Sequence, residues 1–135
     1  MTFGEVEKEL PNGFHDAYIL SIDLDYVHRS ATLQMRLWVG TPDSTDPEKY
    51  EPAELKVTGL CFCSIDPPDP DYPFVPDGQP LDACGDPARP DTLPTLDKLL
   101  SKLPAGVSSY RFFVEGWNSF VHIAGMEVRL VWIKD

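Results

Sequence analysis

Apolar and polar residues alternate with a period of two over much of this chain. Tyr18, Leu20, Ile22, Leu24 and Tyr26 fall on one side of segment 17–27, and Ile19, Ser21, Asp23 and Asp25 on the other. Successive side chains of a strand point to opposite faces, so this pattern predicts a half-buried strand. After the connection His28-Arg29-Ser30, the residues Ala31, Leu33, Met35, Leu37 and Val39 alternate with Thr32, Gln34, Arg36 and Trp38. That run predicts the second arm of a hairpin, aliphatic set inward and Trp38 outward. Gly40 and Pro42 stop it, because proline supplies no ladder donor.

Residues 40–53 are polar, hold Pro42, Pro47 and Pro52, and read as a loop. A third strand is expected over 55–65, with Leu55, Val57, Cys61, Cys63 and Ile65 on one face and Lys56, Thr58, Leu60, Phe62 and Ser64 on the other. Its second half is apolar on both faces, as in a central or covered strand. Residues 66–94 then hold nine of the 14 prolines and seven aspartates. Prolines at this density oppose helix and ladder alike, so a long loop is expected. Tyr72, Phe74, Val75 and Leu81 are its candidate anchors to the core.

Leu96, Leu99, Leu100 and Leu103 recur at helical spacing and predict one short amphipathic helix, capped by Thr95 or Thr92 and ended by Pro104 and Gly106. The C-terminal third returns to period two. Tyr110, Phe112 and Val114 alternate with Arg111, Phe113 and Glu115. Gly116-Trp117-Asn118-Ser119 reads as a turn, and Phe120–Ala124 as a short strand. Gly125 permits a second turn or bulge before a last strand with Met126, Val128, Leu130 and Trp132 on one face. The expected fold is a single domain, residues 1–135, mainly β: an antiparallel meander sheet of about six strands, bent into a sandwich or partly closed barrel.

Charge narrows the choice of partners. The chain carries 22 acidic and 11 basic residues, a formal net charge of −11. Such a surface repels nucleic-acid backbones and anionic membranes, and favours encounter with a basic protein partner. No basic-then-apolar leader opens the sequence, and no run reaches the ~18 apolar residues of a membrane span. Three cysteines, Cys61, Cys63 and Cys84, form an odd set of free thiols that suits the reducing cytoplasm.

Candidate chemistry is sparse. His15-Asp16 joins an imidazole to a carboxylate, but neighbours on a strand diverge, so a turn role is expected. His28 is expected to be exposed, and His122 to be a hydrogen-bonded structural residue. One C-x-C pair lacks the paired knuckles of a zinc site, and buried structural thiols are expected instead. Asp66, Asp69, Asp71 and Asp77 miss the calcium-loop spacing. No nucleophile elbow or phosphate-cradling glycine loop is present, so no catalytic residue, metal ligand or cofactor is assigned. Trp117-Asn118-Ser119-Phe120 is the most distinctive local string. Trp117 there either anchors a partner or plugs the end of the barrel.

The opening Leu10-Pro11-Asn12-Gly13-Phe14-His15-Asp16-Ala17, the strand ending Asp25-Tyr26, Gly59-Leu60, Asp66-Pro67-Pro68-Asp69-Pro70 and Trp117-Asn118-Ser119-Phe120 resemble an uncharacterised group of small bacterial proteins over residues 10–132. The Phe-His-Asp-Ala start is also similar to that of some immunity proteins of polymorphic-toxin systems. That resemblance implies an inhibitor of a toxin and no catalytic residues. The expected function is therefore a non-enzymatic acidic binding protein of immunity type. Its binding residues are expected among Asp69, Asp71 and Asp77 of the long loop, with Trp38 as an outward anchor. One alternative is a small-molecule-binding β-barrel with its mouth framed by His15, Asp16 and Trp117, Asn118 being a further candidate binding residue in the turn beside Trp117. The other is a metal-dependent enzyme using His15, Asp16 and His122.

Overall fold

The computed structural model describes residues 1–72, 81–87 and 94–134, with 81–87 and 94–97 described in backbone only. Among the described residues, six strands carry the fold: β1 (Ala17–Asp25), β2 (Ser30–Trp38), β3 (Tyr50–Ile65), β4 (Leu81–Pro87), β5 (Ser108–Val114) and β6 (Ser119–Trp132). Every pairing is antiparallel, in the order β1-β2-β3-β6-β5-β4. Two three-stranded meanders are thus joined along β3 and β6. They meet again at a short seam, where Ala17, Tyr18 and Ile19 of β1 face Ala83, Asp82 and Leu81 of β4. From Leu20 onward β1 pairs with β2 alone among the described residues. The result is a mainly β, antiparallel sheet, as the alternation predicts, curled into a barrel that this short seam closes.

The second strand follows its pattern closely: Ala31, Leu33, Met35 and Leu37 are buried, while Thr32, Gln34, Arg36 and Trp38 face out. The first does not. Ile19 lies opposite Met35 and Ser21 opposite Gln34, so Leu20 is an extra residue in a β-bulge. A bulge moves the residues after it to the other face. Ala17 and Ile19 therefore point into the core before it, and Ile22 and Leu24 after it. Leu20 is exposed and Tyr18 faces outward, so the single inward face expected for Tyr18 to Tyr26 is corrected. The strand stops at Asp25, whose carboxylate accepts the backbone N–H of Val27 and His28 and builds the turn.

Three other expectations are corrected. The third strand starts at Tyr50, not Leu55: the nearby ladder holds Pro52 opposite Arg36 at the strand's beginning. Segment 66–94 is not wholly a loop, because β4 forms inside it. Residues 81–86 contain no proline, and Pro87 falls at the strand's end, where a missing donor matters least. The last two strands are one: β6 runs through Gly125 without a turn. A Cβ at Gly125 would sit 2.4 Å from the Cγ1 of Val57, so glycine serves close strand-to-side-chain approach there. Phe74, Val75 and Asp77 lie outside the described residues.

Two α-helices are present among the described residues. The leucine-spaced helix α2 spans Pro94–Ser101. It begins on proline, which is preorganised for the first helical position, so Thr95 lies inside the helix rather than capping it. Leu99 is exposed, and the apolar face is incompletely covered. The other helix, α1 (Phe3–Glu9), is absent from the expectations above. Thr2 and Glu5 form a reciprocal capping box at its start. Phe3 and Val6 on α1, with Leu10 and Phe14 after it, pack on Tyr110 and Phe112 of β5 and plug one end of the barrel. The Tyr110 hydroxyl donates to Glu7 at 2.6 Å, tying helix to sheet. No helix among the described residues is long and apolar enough to cross a membrane.

Candidate functional site

The string Leu10–Ala17 is a sequence of local solutions to one problem: turning from α1 into β1 while closing the barrel end. Leu10, Phe14 and Ala17 are buried. Gly13 takes φ +55°, a left-handed value that costs glycine little. Asn12 donates its side-chain amide to the carbonyls of Trp38 and Gly40, at 3.0 and 2.7 Å, and so clamps the end of β2. Asp16 is left-handed too, at φ +51°. In that conformation consecutive side chains need not diverge as they do on a strand. His15 Nε2 accordingly lies 3.3 Å from Asp16 Oδ2, and the expectation that these neighbours would not pair is corrected.

These residues frame a cleft beside the plugged end. It is lined by Asp16, Tyr18, Trp38, Glu48 and Tyr50, with a volume of about 360 Å³. Trp38 is outward, as expected, and half-buried. Its indole N–H donates to the Pro47 carbonyl at 2.7 Å, and the His15 ring lies 6.1 Å away. Tyr50 donates its hydroxyl to the Asp16 carbonyl at 2.9 Å, and its ring is 5.1 Å from that of Tyr18. The aromatic walls are thus held by hydrogen bonds at both sides. Tyr18, Glu48 and Tyr50 escape the sequence reading. The bulge at Leu20 puts Tyr18 outward, and the early start of β3 puts Tyr50 opposite Trp38.

A second, apolar cavity of about 300 Å³ lies where β1 leaves the seam. Inward-facing Ile19, Ile22, Val114 and Val121 line it, with Ser21, Ser119 and Trp117 among the other lining residues. Trp117 ends a single 3-10 turn, Glu115–Trp117, followed by Asn118 in the left-handed region. It packs partly against the core beside this cavity, while α1, not Trp117, plugs the opposite end. Trp117 therefore does not share a mouth with His15 and Asp16, as the ligand-barrel reading expects.

Beside Trp117 the start of the long loop is anchored. The Asp66 N–H donates to the Phe120 carbonyl at 2.9 Å, and the Asp69 N–H to that of Trp117 at 2.8 Å. The Asp69 carboxylate accepts the Asp71 N–H and the Asn118 amide, both at 2.9 Å. These donors, the Asp71 N–H first, hold its pKa below the usual carboxylate value of 3.8. A depressed pKa means the interactions stabilise the fold above the unfolded-state value and are lost as pH falls through the lower folded-state value. The Asn118 side-chain amide resonances are expected to stay fixed from neutral pH down to about pH 4 and to move only below it, in an NMR titration.

Asp66 also meets His122, whose Nε2 lies 3.0 Å from the carboxylate. His122 is buried on β6, with the Phe120 ring beside it, and Arg111 lies over that same ring, 4.4 Å from its centroid. His122 is hydrogen-bonded, as expected, and its partner is a residue at the start of the loop. His15 and Asp16 are not joined by it, and no three His, Cys, Asp or Glu side chains converge among the described residues. The metal-enzyme constellation His15, Asp16 and His122 is therefore not assembled. His28 is exposed, 2.8 Å from Asp25.

The two described thiols separate. A register shift between Leu60 and Phe62 leaves Cys61 as the extra residue, exposed rather than buried. Cys63 packs against the core, and burial pushes its thiol up to about 11, away from the thiolate form that reacts at neutral pH.

Of the expected binding residues, then, Asp16 and Trp38 line the aromatic cleft with His15 beside them, and Asp69, Asp71, Trp117 and Asn118 gather near the apolar cavity. No family model, no curated protein and no solved structure matches the chain. The functional reading therefore rests on the geometry of these two places.

Proposed function

We propose that the protein is a non-enzymatic acidic binding protein, an immunity-type inhibitor that covers a basic surface of a bacterial toxin in the cytoplasm. The observation that carries this reading is the anchored rim at the apolar cavity. Asp66, Asp69 and Asp71 stand beside Trp117, held by backbone and side-chain bonds, with Ile65 and Tyr72 exposed among them. A prearranged acidic rim around apolar anchors suits a partner that presents basic groups around an apolar one. The net charge of −11 acts in the same direction at long range.

Affinity purification from the native host tests this. At about 50 mM salt the protein is expected to retain a basic protein whose expression alone arrests growth, with release as salt rises toward about 500 mM. Asp71→Asn, at an exposed rim position, is expected to weaken retention about tenfold or less, mainly through the association rate. Recovery of no protein partner at low salt would overturn the proposal.

The apolar cavity supports a second reading, a barrel that binds one small molecule. Its lining is mostly Ile and Val with the Ser21 and Ser119 hydroxyls, and its size is at the low end for ligand sites. An apolar dye that binds stoichiometrically and is displaced by a host extract of small molecules would favour this reading.

A further inference from the structure

We infer that the cleft of Asp16, Tyr18, Trp38, Glu48 and Tyr50 is a binding site for a guanidinium group. This goes beyond the inhibitor reading, since the cleft shares no lining residue with the apolar cavity beside the acidic rim and needs no toxin partner to be tested.

The inference begins with composition. Three of the five lining residues are aromatic, two are carboxylic acids, and no basic side chain lines the cleft among the described residues. Lys49, next to Glu48, is engaged with Glu51 at 3.2 Å. Arg36 stands opposite Tyr18 in the ladder but is exposed and does not line the cleft. Among the described residues the lining therefore presents aromatic rings and carboxylates and no basic side chain. Aromatic faces attract cations through the ring quadrupole, and Trp and Tyr do so best.

Acceptors then choose among cations. A quaternary ammonium needs rings but no acceptor. A lysine ammonium is compact and strongly hydrated, and gains little from an exposed aromatic wall. A guanidinium is planar and weakly hydrated, stacks on rings and pairs with carboxylates through two parallel N–H donors. Rings and carboxylates together match the guanidinium best.

Preorganisation completes the case. Trp38 is fixed through its indole N–H on Pro47, and Tyr50 through its hydroxyl on the Asp16 carbonyl. The Asn12 clamp on Trp38 and Gly40 holds the backbone beneath. A site whose walls are already immobilised loses less entropy on binding. His15 stands at the edge of the site, its Nε2 3.3 Å from the Asp16 carboxylate.

The test follows the Trp38 indole N–H by NMR in the purified full chain, at constant ionic strength. N-acetyl-arginine amide is expected to shift that resonance saturably, with a millimolar dissociation constant. Tetramethylammonium chloride is expected to bind more weakly, and sodium chloride to give no saturable shift. Glu48→Gln, an exposed loop substitution, is expected to weaken binding about fivefold with the unfolding midpoint unchanged. A glycine-flanked arginine peptide distinguishes the source. Tighter binding of the peptide assigns the site to a protein partner's arginine, and equal binding to a free guanidinium metabolite. A shift that stays linear in concentration, or one that sodium chloride reproduces, would overturn the inference.

Discussion

Phe14→Ala is expected to lower the unfolding free energy by about 3–5 kcal/mol, read as a fall in the urea midpoint with an unchanged slope. Phe14 is almost fully buried at the plugged end of the barrel. Its ring meets Tyr110 and Phe112 edge-on, at 5.6 and 5.4 Å, and Tyr110 in turn stacks on Phe3 of α1. Truncation removes the ring that sits between the α1–β1 connection and β5, so a cavity opens where the helix docks. Only about 5–15 kcal/mol separates a domain of this kind from its unfolded state, so the loss is a large share. Phe14→Leu keeps most of the volume and is expected to cost markedly less. An equal effect of the two substitutions would mean that the site relaxes around either side chain and that Phe14 does not hold the plug.

Gly40→Ala is the second large effect, and it reaches the cleft as well as the fold. A Cβ at Gly40 would lie 2.1 Å from the Pro47 carbonyl oxygen and 2.7 Å from that of Asp46. Both obstacles are backbone, so no side-chain rotation relieves them, and the loop before β3 must move. The Pro47 oxygen is the acceptor for the Trp38 indole N–H, and the Gly40 carbonyl is one of the two held by Asn12. Destabilisation of about 2–3 kcal/mol is expected, together with a displaced Trp38 indole resonance. Unfolding followed by urea and a single two-dimensional NMR spectrum check both parts. An unshifted indole resonance would show that the loop accommodates the methyl without releasing Trp38.

Both predictions rest on residues whose importance is only partly visible in sequence. Phe14 belongs to a legible turn string, but its burial depends on α1, whose capping box at Thr2 and Glu5 is short and easily passed over. Gly40 reads as a strand stop. What it accommodates is a backbone that arrives from Asp46 and Pro47, set by a loop that alternation does not describe. Tyr18 shows the same limit more sharply. By simple period two it belongs with Ile22 and Leu24, yet one extra residue at Leu20 reverses the face and gives Tyr18 to the cleft. The pairing of His15 with Asp16 was hidden because a left-handed residue, not a strand, joins them.

The sequence by itself determined the class of this protein. Period-two patterning makes a helical bundle impossible to pack and an antiparallel sheet easy, and Ala31 to Leu37 follows that rule residue by residue. It also determined the net negative charge and marked Asp16, Trp38 and Trp117 among the residues that line the two candidate places. Tertiary structure alone decided how those residues are shared out. The strand order and short β1–β4 seam place the cavity beside Trp117 at one end, while α1 plugs the other. The bulge at Leu20 and the register of Tyr50 against Trp38 assemble the cleft. The reason is physical. Alternation is a local property of each strand, whereas register, bulges and the choice of neighbour depend on contacts between segments far apart in the chain.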